Sequence, residues 1–205
     1  MSGTESQAPA PADEARGRVL LAIARESLRE AFEPGVGTRA TPPDAPWLRE
    51  PGATFVTLER DGELRGCVGS IHAYRPLGED VRANARAAAF ADHRFPPLAA
   101  WELPQTAIEV SLLSPPEPLD LPPPAGEAEA LAALRPGVDG LILECGQRRG
   151  TFLPQVWEQL PGRREFLDQL LRKVGLPAGF WSPEIRLFRY TVASWQEHEE
   201  RSAAP

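Results

Sequence analysis

The sequence predicts an α+β fold with a mostly antiparallel or mixed sheet and flanking helices. Strand-like runs come in pairs joined by a tight turn, and segments of helical periodicity separate those pairs along the chain. The 23 prolines among 205 residues also divide the chain into short elements. A doubly wound parallel sheet, in which strands and helices would alternate one by one, is not indicated.

A long amphipathic helix is predicted over residues 14–32, because apolar side chains recur at helical spacing between charged ones. A hairpin follows, since strand-like runs at residues 54–59 and 63–72 flank the dipeptide Asp61-Gly62. This dipeptide tolerates the positive φ of a two-residue turn and is a strong local hairpin signal. We therefore expect two adjacent antiparallel strands in the first half of the chain.

A second helix is predicted from Pro76 to about Asp92, with the proline at its first residue. Its apolar stripe includes Val81, Asn84 and Ala88, so an amide lies among apolar neighbours. A buried amide without a hydrogen-bond partner costs about 1 to 3 kcal/mol. We therefore expect Asn84 to be hydrogen-bonded and to pin a loop or a sheet edge.

Further strands and helices are predicted in the second half of the chain. Residues 105–114 alternate as a half-buried strand does, with Glu109 and Ser111 on the face opposite Ile108 and Val110. The later elements are, in order, a short helix near 125–134, strands at 141–145 and 150–153, a helix at 163–174 and a final strand at 185–192.

One domain is predicted over residues 14–197, between disordered tails at residues 1–13 and 198–205. The chain is long enough to bury a sizeable core. The N terminus lacks a signal-peptide pattern, and no apolar stretch approaches the roughly 18 residues of a membrane helix. These observations predict a cytoplasmic protein without a membrane span.

Charge and cysteine usage exclude several classes of function. The net charge of -7 and the pI near 5.1 provide no global positive field, which argues against nucleic-acid binding. The two cysteines and three histidines show no paired zinc spacing, and no nucleotide-binding or hydrolase motif is present. We predict reduced thiols, no metal site and no cofactor.

One six-residue run carries the main candidate chemistry: Leu64-Arg65-Gly66-Cys67-Val68-Gly69. On a regular strand Arg65, Cys67 and Gly69 share one face, so the guanidinium can flank the sulfur and favour the nucleophilic thiolate. Glycines within a strand commonly mark the close approach of a ligand or another backbone. The alternative is that Cys67 is a small buried hydrophobe and that Gly66 and Gly69 allow tight helix packing.

Three further side chains are candidates for the same site. Glu109 is a candidate general base, and Ser111 lies on the same face of its strand as a candidate ligand-binding residue. Arg94 could clamp a carboxylate or phosphate with its fork of donors, or it could pair with a nearby acid and fix a loop. His72 falls on the strand face opposite Cys67, which weakens a metal site.

The six-residue run resembles the signature of the AMMECR-one domain family, with Val68 where the family usually has isoleucine. Later segments resemble further blocks of that family, although His93 replaces a proline that is usual there. The matching segments are residues 75–77, 92–98, 109–114, 137–141, 150–156 and 173–176. Gln155, in one of these blocks, is a further candidate ligand-binding residue, and the resemblance extends over about residues 14–197.

The resemblance implies a larger and a smaller lobe around a cleft that includes the cysteine strand. It implies a bacterial or archaeal protein of a three-component system with Memo-like and radical S-adenosylmethionine (radical-SAM) partners and an unknown small ligand. The family has no settled activity, so the sequence leaves the question of an enzyme open. The first hypothesis is that Cys67 is a reactive or modified thiol and that Arg65 orients an anionic ligand beside it, with Gly66 and Gly69 as further ligand-binding candidates. The alternative is a non-catalytic binding or scaffold module with a structural Cys67.

Overall fold

The computed structural model of the chain describes residues 11–33, 35, 45–121 and 126–197. These residues form two compact units, of which the first runs to Leu112 and resumes at Ser194, while the second is Leu113–Ala193. Helices and antiparallel strand pairs occur together in the described part of the chain, so the predicted α+β class is confirmed.

The described helices are α1 (Pro11–Phe32), α2 (Leu77–Phe90), α3 (Glu127–Ala133) and α4 (Arg163–Lys173). The described strands are β1 (Pro51–Arg60), β2 (Glu63–Gly69), β3 (Arg75–Pro76), β4 (Thr106–Leu113), β5 (Glu117–Pro118), β6 (Gly140–Cys145), β7 (Arg148–Phe152), β8 (Ile185–Tyr190) and β9 (Val192–Gln196). No described helix is long and apolar enough to cross a membrane.

The first helix begins earlier than predicted, so residues 11–13 of the predicted N-terminal tail are helical. The rest of that tail, residues 1–10, lies outside the described residues. The predicted C-terminal tail, residues 198–205, also lies outside them.

The first sheet has the strand order β2-β1-β4-β9, and the short β3 pairs with the start of β1. The predicted hairpin is confirmed, because β1 and β2 pair antiparallel around Asp61 (φ 56°) and Gly62 (φ 77°). β2 lies at the edge of this sheet and ends at Gly69, before the predicted end at residue 72.

Helices α1 and α2 form the hydrophobic core of the first unit together with β1 and β4. Its buried side chains include Leu20, Ile23, Leu28, Val56, Leu58, Val81, Ala88, Ile108 and Val110. Burying a large aliphatic side chain contributes roughly 1.5 to 3 kcal/mol, so this face of the sheet stabilises the unit. The intervening side chains of β1 and β4 point to the opposite face of the sheet.

A buried polar network ties the start of α2 to β1. The carboxylate of Asp80 has no exposed surface, and it accepts hydrogen bonds from Thr54 N (2.8 Å), Thr54 Oγ1 (2.7 Å), Ser70 Oγ (2.8 Å) and Arg75 Nε (2.7 Å). Asn84 Nδ2 donates to Asp80 Oδ2 and to the Thr54 carbonyl oxygen, both at 2.9 Å. The predicted hydrogen bonding of this buried amide is therefore confirmed.

The second sheet has the strand order β5-β8-β6-β7 and pairs antiparallel throughout. The predicted helix at residues 163–174 corresponds to α4, whose apolar side chains Phe166, Leu167, Leu170 and Leu171 are buried in the core of the second unit. Gly175 (φ 77°) follows this helix in the left-handed conformation that is typical of a glycine ending a helix.

The predicted final strand at residues 185–192 is wrong in one respect, because the structure has two strands there. β8 ends at Tyr190 in the second sheet, and β9 begins at Val192 in the first sheet. Only Thr191 separates them, and neither glycine nor proline marks the change. Hydrogen-bond partners distant in sequence decide where each strand ends, so local periodicity does not reveal the division.

Candidate functional site

Cys67 lies on the edge strand β2, opposite Thr57 of β1. The cysteine is half-buried, and Thr57 Oγ1 donates a hydrogen bond to its Sγ at 3.3 Å. Val56 and Leu58, on either side of Thr57, are buried in the helical core. Strand alternation therefore puts Thr57 and the thiol on the opposite face of the sheet, outside that core.

A β-bulge changes the side-chain pattern predicted for the six-residue run. Leu58 pairs with Gly66, whereas the next residue, Glu59, pairs with Leu64, so Arg65 has no partner on β1. A bulged residue interrupts the alternation of faces along its strand. The expectation that Arg65 flanks the thiol along a regular strand is therefore wrong.

Arg65 instead forms a forked ion pair with Glu102. Its Nε donates to Glu102 Oε1 and its Nη2 to Oε2, both at 3.0 Å, and its Nη1 donates to the Pro96 carbonyl oxygen at 2.9 Å. Hydrogen bonding by Arg65 lowers the pKa of Glu102, assisted by the amide of Ala99 and opposed by burial. Arg65 thus fixes the segment after α2, and its predicted ligand binding stays a prediction.

Asp92 and Arg94 hold the main chain of Cys67. Asp92 Oδ2 accepts a hydrogen bond from Cys67 N at 2.9 Å and another from Arg94 Nη2 at 2.7 Å. The same Nη2 donates to the Cys67 carbonyl oxygen at 3.3 Å. The Arg94 guanidinium holds the pKa of Asp92 well below its usual range, despite the burial of this carboxylate. Arg94 therefore makes the pairing with a nearby acid that was one of its two predicted roles.

The two glycines of the run lie where a side chain has no room. A Cβ built on Gly66 would be 2.2 Å from the Ala88 carbonyl oxygen of α2. A Cβ on Gly69 would be 2.6 Å from the Thr54 carbonyl oxygen and closer still to the Phe55 ring. These contacts support the alternative that the glycines permit close packing.

Glu109 and Ser111 lie on β4, on the face of the sheet opposite the helical core. Ser111 Oγ donates to Glu109 Oε1 at 3.1 Å and lies 2.8 Å from Ser194 Oγ of β9. In the described part of the chain no hydrogen bond joins Glu109 to Cys67. The structure therefore brings Glu109 and Ser111 together, and the role of Glu109 as a base stays a prediction.

Gln155 belongs to the second unit, where it is exposed on the 3₁₀ turn Pro154–Glu158. Its ligand-binding role also stays a prediction. As for metals, the described residues contain no group of three or more His, Cys, Asp or Glu side chains arranged to hold an ion.

Sequence reasoning missed three side chains that surround the cysteine or its strand: Thr57, Asp92 and Glu102. Thr57 is missed because the bulge changes the register of the hairpin. Asp92 and Glu102 are missed because their partners lie more than twenty residues away in sequence. The sequence offers one signal for Asp92, which lies two residues before Arg94 and can form an ion pair with it.

The fold and the site define an α+β protein whose edge strand carries a half-buried thiol, with the main chain of that cysteine held by an aspartate and an arginine. Residues 21–195 match the AMMECR1 family, which is the AMMECR-one domain family that the six-residue run resembles. The chain therefore belongs to this family.

Relatives that match over most of their own length support this assignment. A protein of Methanothermobacter thermautotrophicus is 40% identical over 195 residues, which cover 92% of this chain and 97% of the relative. A protein of Aeropyrum pernix is 38% identical over 203 residues, covering 94% of this chain and 84% of the relative.

The chain also resembles a solved structure, the crystal structure of the uncharacterized protein PH0010 from Pyrococcus horikoshii. The TM-score is 0.75 at 33% sequence identity, with 88% of this chain and 91% of that chain covered. The names of these relatives state no activity.

Proposed function

We propose that this AMMECR1 domain carries a reactive thiol, and that Cys67 is the nucleophile or the modified group of its function. One observation carries the proposal. Arg65, Gly66 and Gly69 are accounted for by an ion pair and by close packing, whereas the sulfur of Cys67 lies half-buried outside the core. Among the residues of the run that were candidates for the site, Cys67 is the one whose presence packing does not explain.

The surroundings of the sulfur suit a nucleophile. The Thr57 hydroxyl donates to Sγ at 3.3 Å, and Arg94 Nη2 donates to the carbonyl oxygen of the same cysteine at 3.3 Å. Reactive cysteines typically lie at partly exposed positions beside cationic side chains. These two neighbours support the proposal independently of Arg65.

The proposed step is a substitution at an electrophilic carbon. The Cys67 sulfur forms a bond to that carbon, the leaving group departs with its electron pair, and solvent takes the thiol proton. The electrophile is a small ligand presented to the face of the sheet that carries Thr57 and Cys67. Memo-like and radical-SAM proteins of the same cytoplasm are the proposed source of that ligand.

The partner proposal is tested with purified proteins from the same organism. The chain is incubated with its Memo-like and radical-SAM proteins and with their substrates, and the Cys67 peptide is then analysed by mass spectrometry. A mass increase at Cys67 that requires both partners is expected. An unchanged peptide, in protein whose Cys67 reacts freely with a small reagent, would exclude these partners as the source.

Thiol reactivity is tested by alkylation with iodoacetamide in the folded protein. Cys145 is buried and is the natural internal comparison. Cys67 is expected to react at least about tenfold faster than Cys145, because buried structural cysteines are inert. Thr57→Val should slow the reaction, since it removes the hydroxyl donor with little change of shape. Labelling of Cys67 only after unfolding would refute the proposal.

A second candidate function is a binding or scaffold module with a structural Cys67. The contacts of Gly66 with α2 and of Arg65 with Glu102 favour it, because they give the run a purely structural purpose. Under this alternative Cys67→Ser keeps the fold and every partner interaction. Retained partner binding together with an unreactive Cys67 would support the scaffold.

A further inference from the structure

We infer that Asp92 and Arg94 form a clamp that selects the strand register in which the Cys67 sulfur faces Thr57. This inference rests on the proposed reactive thiol and names the residues that position it. The clamp consists of the Asp92 carboxylate, the Arg94 guanidinium and the two main-chain polar groups of Cys67. Asp92 and Arg94 are positioning residues, because they act on the backbone of the cysteine.

The contacts of the clamp form a closed ring. Cys67 N donates to Asp92 Oδ2 at 2.9 Å, Arg94 Nη2 donates to that oxygen at 2.7 Å, and Nη2 also reaches the Cys67 carbonyl oxygen at 3.3 Å. Asp92 Oδ1 accepts from Arg94 N at 3.1 Å and from Nε at 3.0 Å, which fixes the guanidinium. On an edge strand the outward N–H and C=O would otherwise lack a partner strand.

The ring controls the direction of the side chain. The N–H of Cys67 belongs to the peptide plane before its Cα, and the C=O belongs to the plane after it. Holding both planes fixes φ and ψ of this residue and therefore the direction of its Cα–Cβ bond. A contact with only the N–H or only the C=O of Cys67 would leave that direction free to change.

The hairpin has an alternative strand register, which would arise if β2 contained no bulge. Counting back from the Asp61-Gly62 turn without a bulge would place Val56 opposite Cys67, whereas the bulge at Arg65 places Thr57 there. A slip of one residue moves a side chain to the other face of a sheet. Without the bulge the sulfur would therefore point to the side of Val56, which is buried in the helical core.

The clamp holds the part of β2 that follows the bulge, where each residue has the shifted partner on β1. Asp92 and Arg94 hold Cys67, while Glu102 and the carbonyl oxygen of Pro96 hold the bulged Arg65. Glu102 does not contact the peptide groups of Cys67, but it holds the bulged residue and therefore helps to set the same register.

The test compares Asp92→Asn and Asp92→Ala with one matched control outside the first sheet. Asp139→Asn removes another buried carboxylate that accepts a backbone amide and an arginine, since Arg135 N donates to Asp139 Oδ2 at 2.9 Å and its Nε to Oδ1 at 2.9 Å. All variants are measured under conditions in which circular dichroism shows them fully folded.

The expected result is a selective loss of Cys67 reactivity. Asp92→Ala should slow iodoacetamide labelling of folded Cys67 by about tenfold, as expected for the loss of a charged hydrogen-bond acceptor. Asp92→Asn, which keeps an acceptor for the Cys67 amide, should recover part of the rate. Asp139→Asn should leave the labelling rate within about twofold of the parent rate. Equal rates for Asp92→Ala and the parent protein would overturn the inference.

Amide hydrogen exchange gives a second readout that does not depend on thiol chemistry. The Cys67 amide should lose protection in Asp92→Ala, and the proton contact between the Thr57 and Cys67 side chains should weaken in nuclear magnetic resonance spectra. If parent Cys67 does not react at all, the proposed function fails, and these spectra still decide on the clamp. Unchanged protection of the Cys67 amide in Asp92→Ala would overturn the clamp by itself.

Discussion

Gly66 lies directly beneath the carbonyl oxygen of Ala88, so closely that a Cβ on the glycine would be 2.2 Å from that oxygen. The contact joins the backbone of the edge strand β2 to the backbone of helix α2. The strand therefore cannot move closer to the helix without shifting it. The position therefore sets the distance between the helix and the strand that carries Cys67.

Gly66→Ala is expected to destabilise the protein by about 2 kcal/mol, because overpacking against a backbone atom forces the strand and helix apart. The free energy of unfolding in urea measures the effect. Gly78→Ala is the control, since its Cβ would lie 3.6 Å from Leu48 in ordinary contact and within a helix. That change should be neutral or stabilise slightly. Equal stability of the two variants would contradict the packing argument.

Asp80→Ala is expected to cost about 3 to 5 kcal/mol, because it leaves the partly buried Arg75 and the buried Asn84 without their shared carboxylate. The measurement is again the free energy of unfolding. Glu79→Ala, at the exposed neighbouring position, should change stability by no more than about 1 kcal/mol. A comparable loss for both variants would show that the network of Asp80 contributes little.

Acid should destabilise the first unit through Asp92 and Glu102. Arg94 holds the pKa of Asp92 below its usual range, and Arg65 does the same for Glu102. A folded-state pKa below the unfolded value gives stability that is present above the ordinary carboxyl pKa and lost as the pH falls through the folded-state pKa. Unfolding measured from pH 6 downwards should show this loss, and Asp92→Asn should reduce its slope. An unchanged slope in that variant would contradict the assignment.

Tyr190 should ionise at a higher pH than an ordinary tyrosine. Burial raises its pKa to about 12, although the hydrogen bond with Thr151 opposes the shift. A raised pKa means that the neutral phenol is favoured in the fold, so its stability contribution is complete below the ordinary value near 10 and is lost as the pH rises through about 12.

The tyrosinate absorbance of the folded protein measures this ionisation directly. The chain has two tyrosines, and Tyr74 is 66% exposed. Tyr74→Phe leaves Tyr190 as the absorbing residue, and its titration midpoint should lie near 12. A midpoint near 10 in protein that circular dichroism shows to be folded would contradict the burial argument.

Much of the local structure follows from the sequence because it depends on neighbours along the chain. Asp61-Gly62 specifies the hairpin turn, and the stripe through Asn84 predicts the buried face of α2 together with the satisfied amide. Gly175 marks the end of α4 in the same way. Each of these features is decided within a few residues.

The geometry of the candidate site is decided by distant contacts. Counting from the turn pairs Val56 with Cys67, and the bulge at Arg65 changes that partner to Thr57. The side chains that hold this strand come from a segment beyond the next helix. Glu102 binds Arg65, and Asp92 binds the Cys67 amide. Periodicity along β2 therefore predicts the strand, although the direction of its thiol depends on tertiary contacts.

The first unit is discontinuous, because it is completed by the residues from Ser194 onwards. Glu197 forms an ion pair with Arg25 of α1 and accepts a hydrogen bond from Ile108 N, so the last described residue joins the first helix to β4. During synthesis Arg25 leaves the ribosome long before Glu197. The sheet that carries Cys67 therefore gains its β9 strand only after β8 of the contiguous second unit has been made.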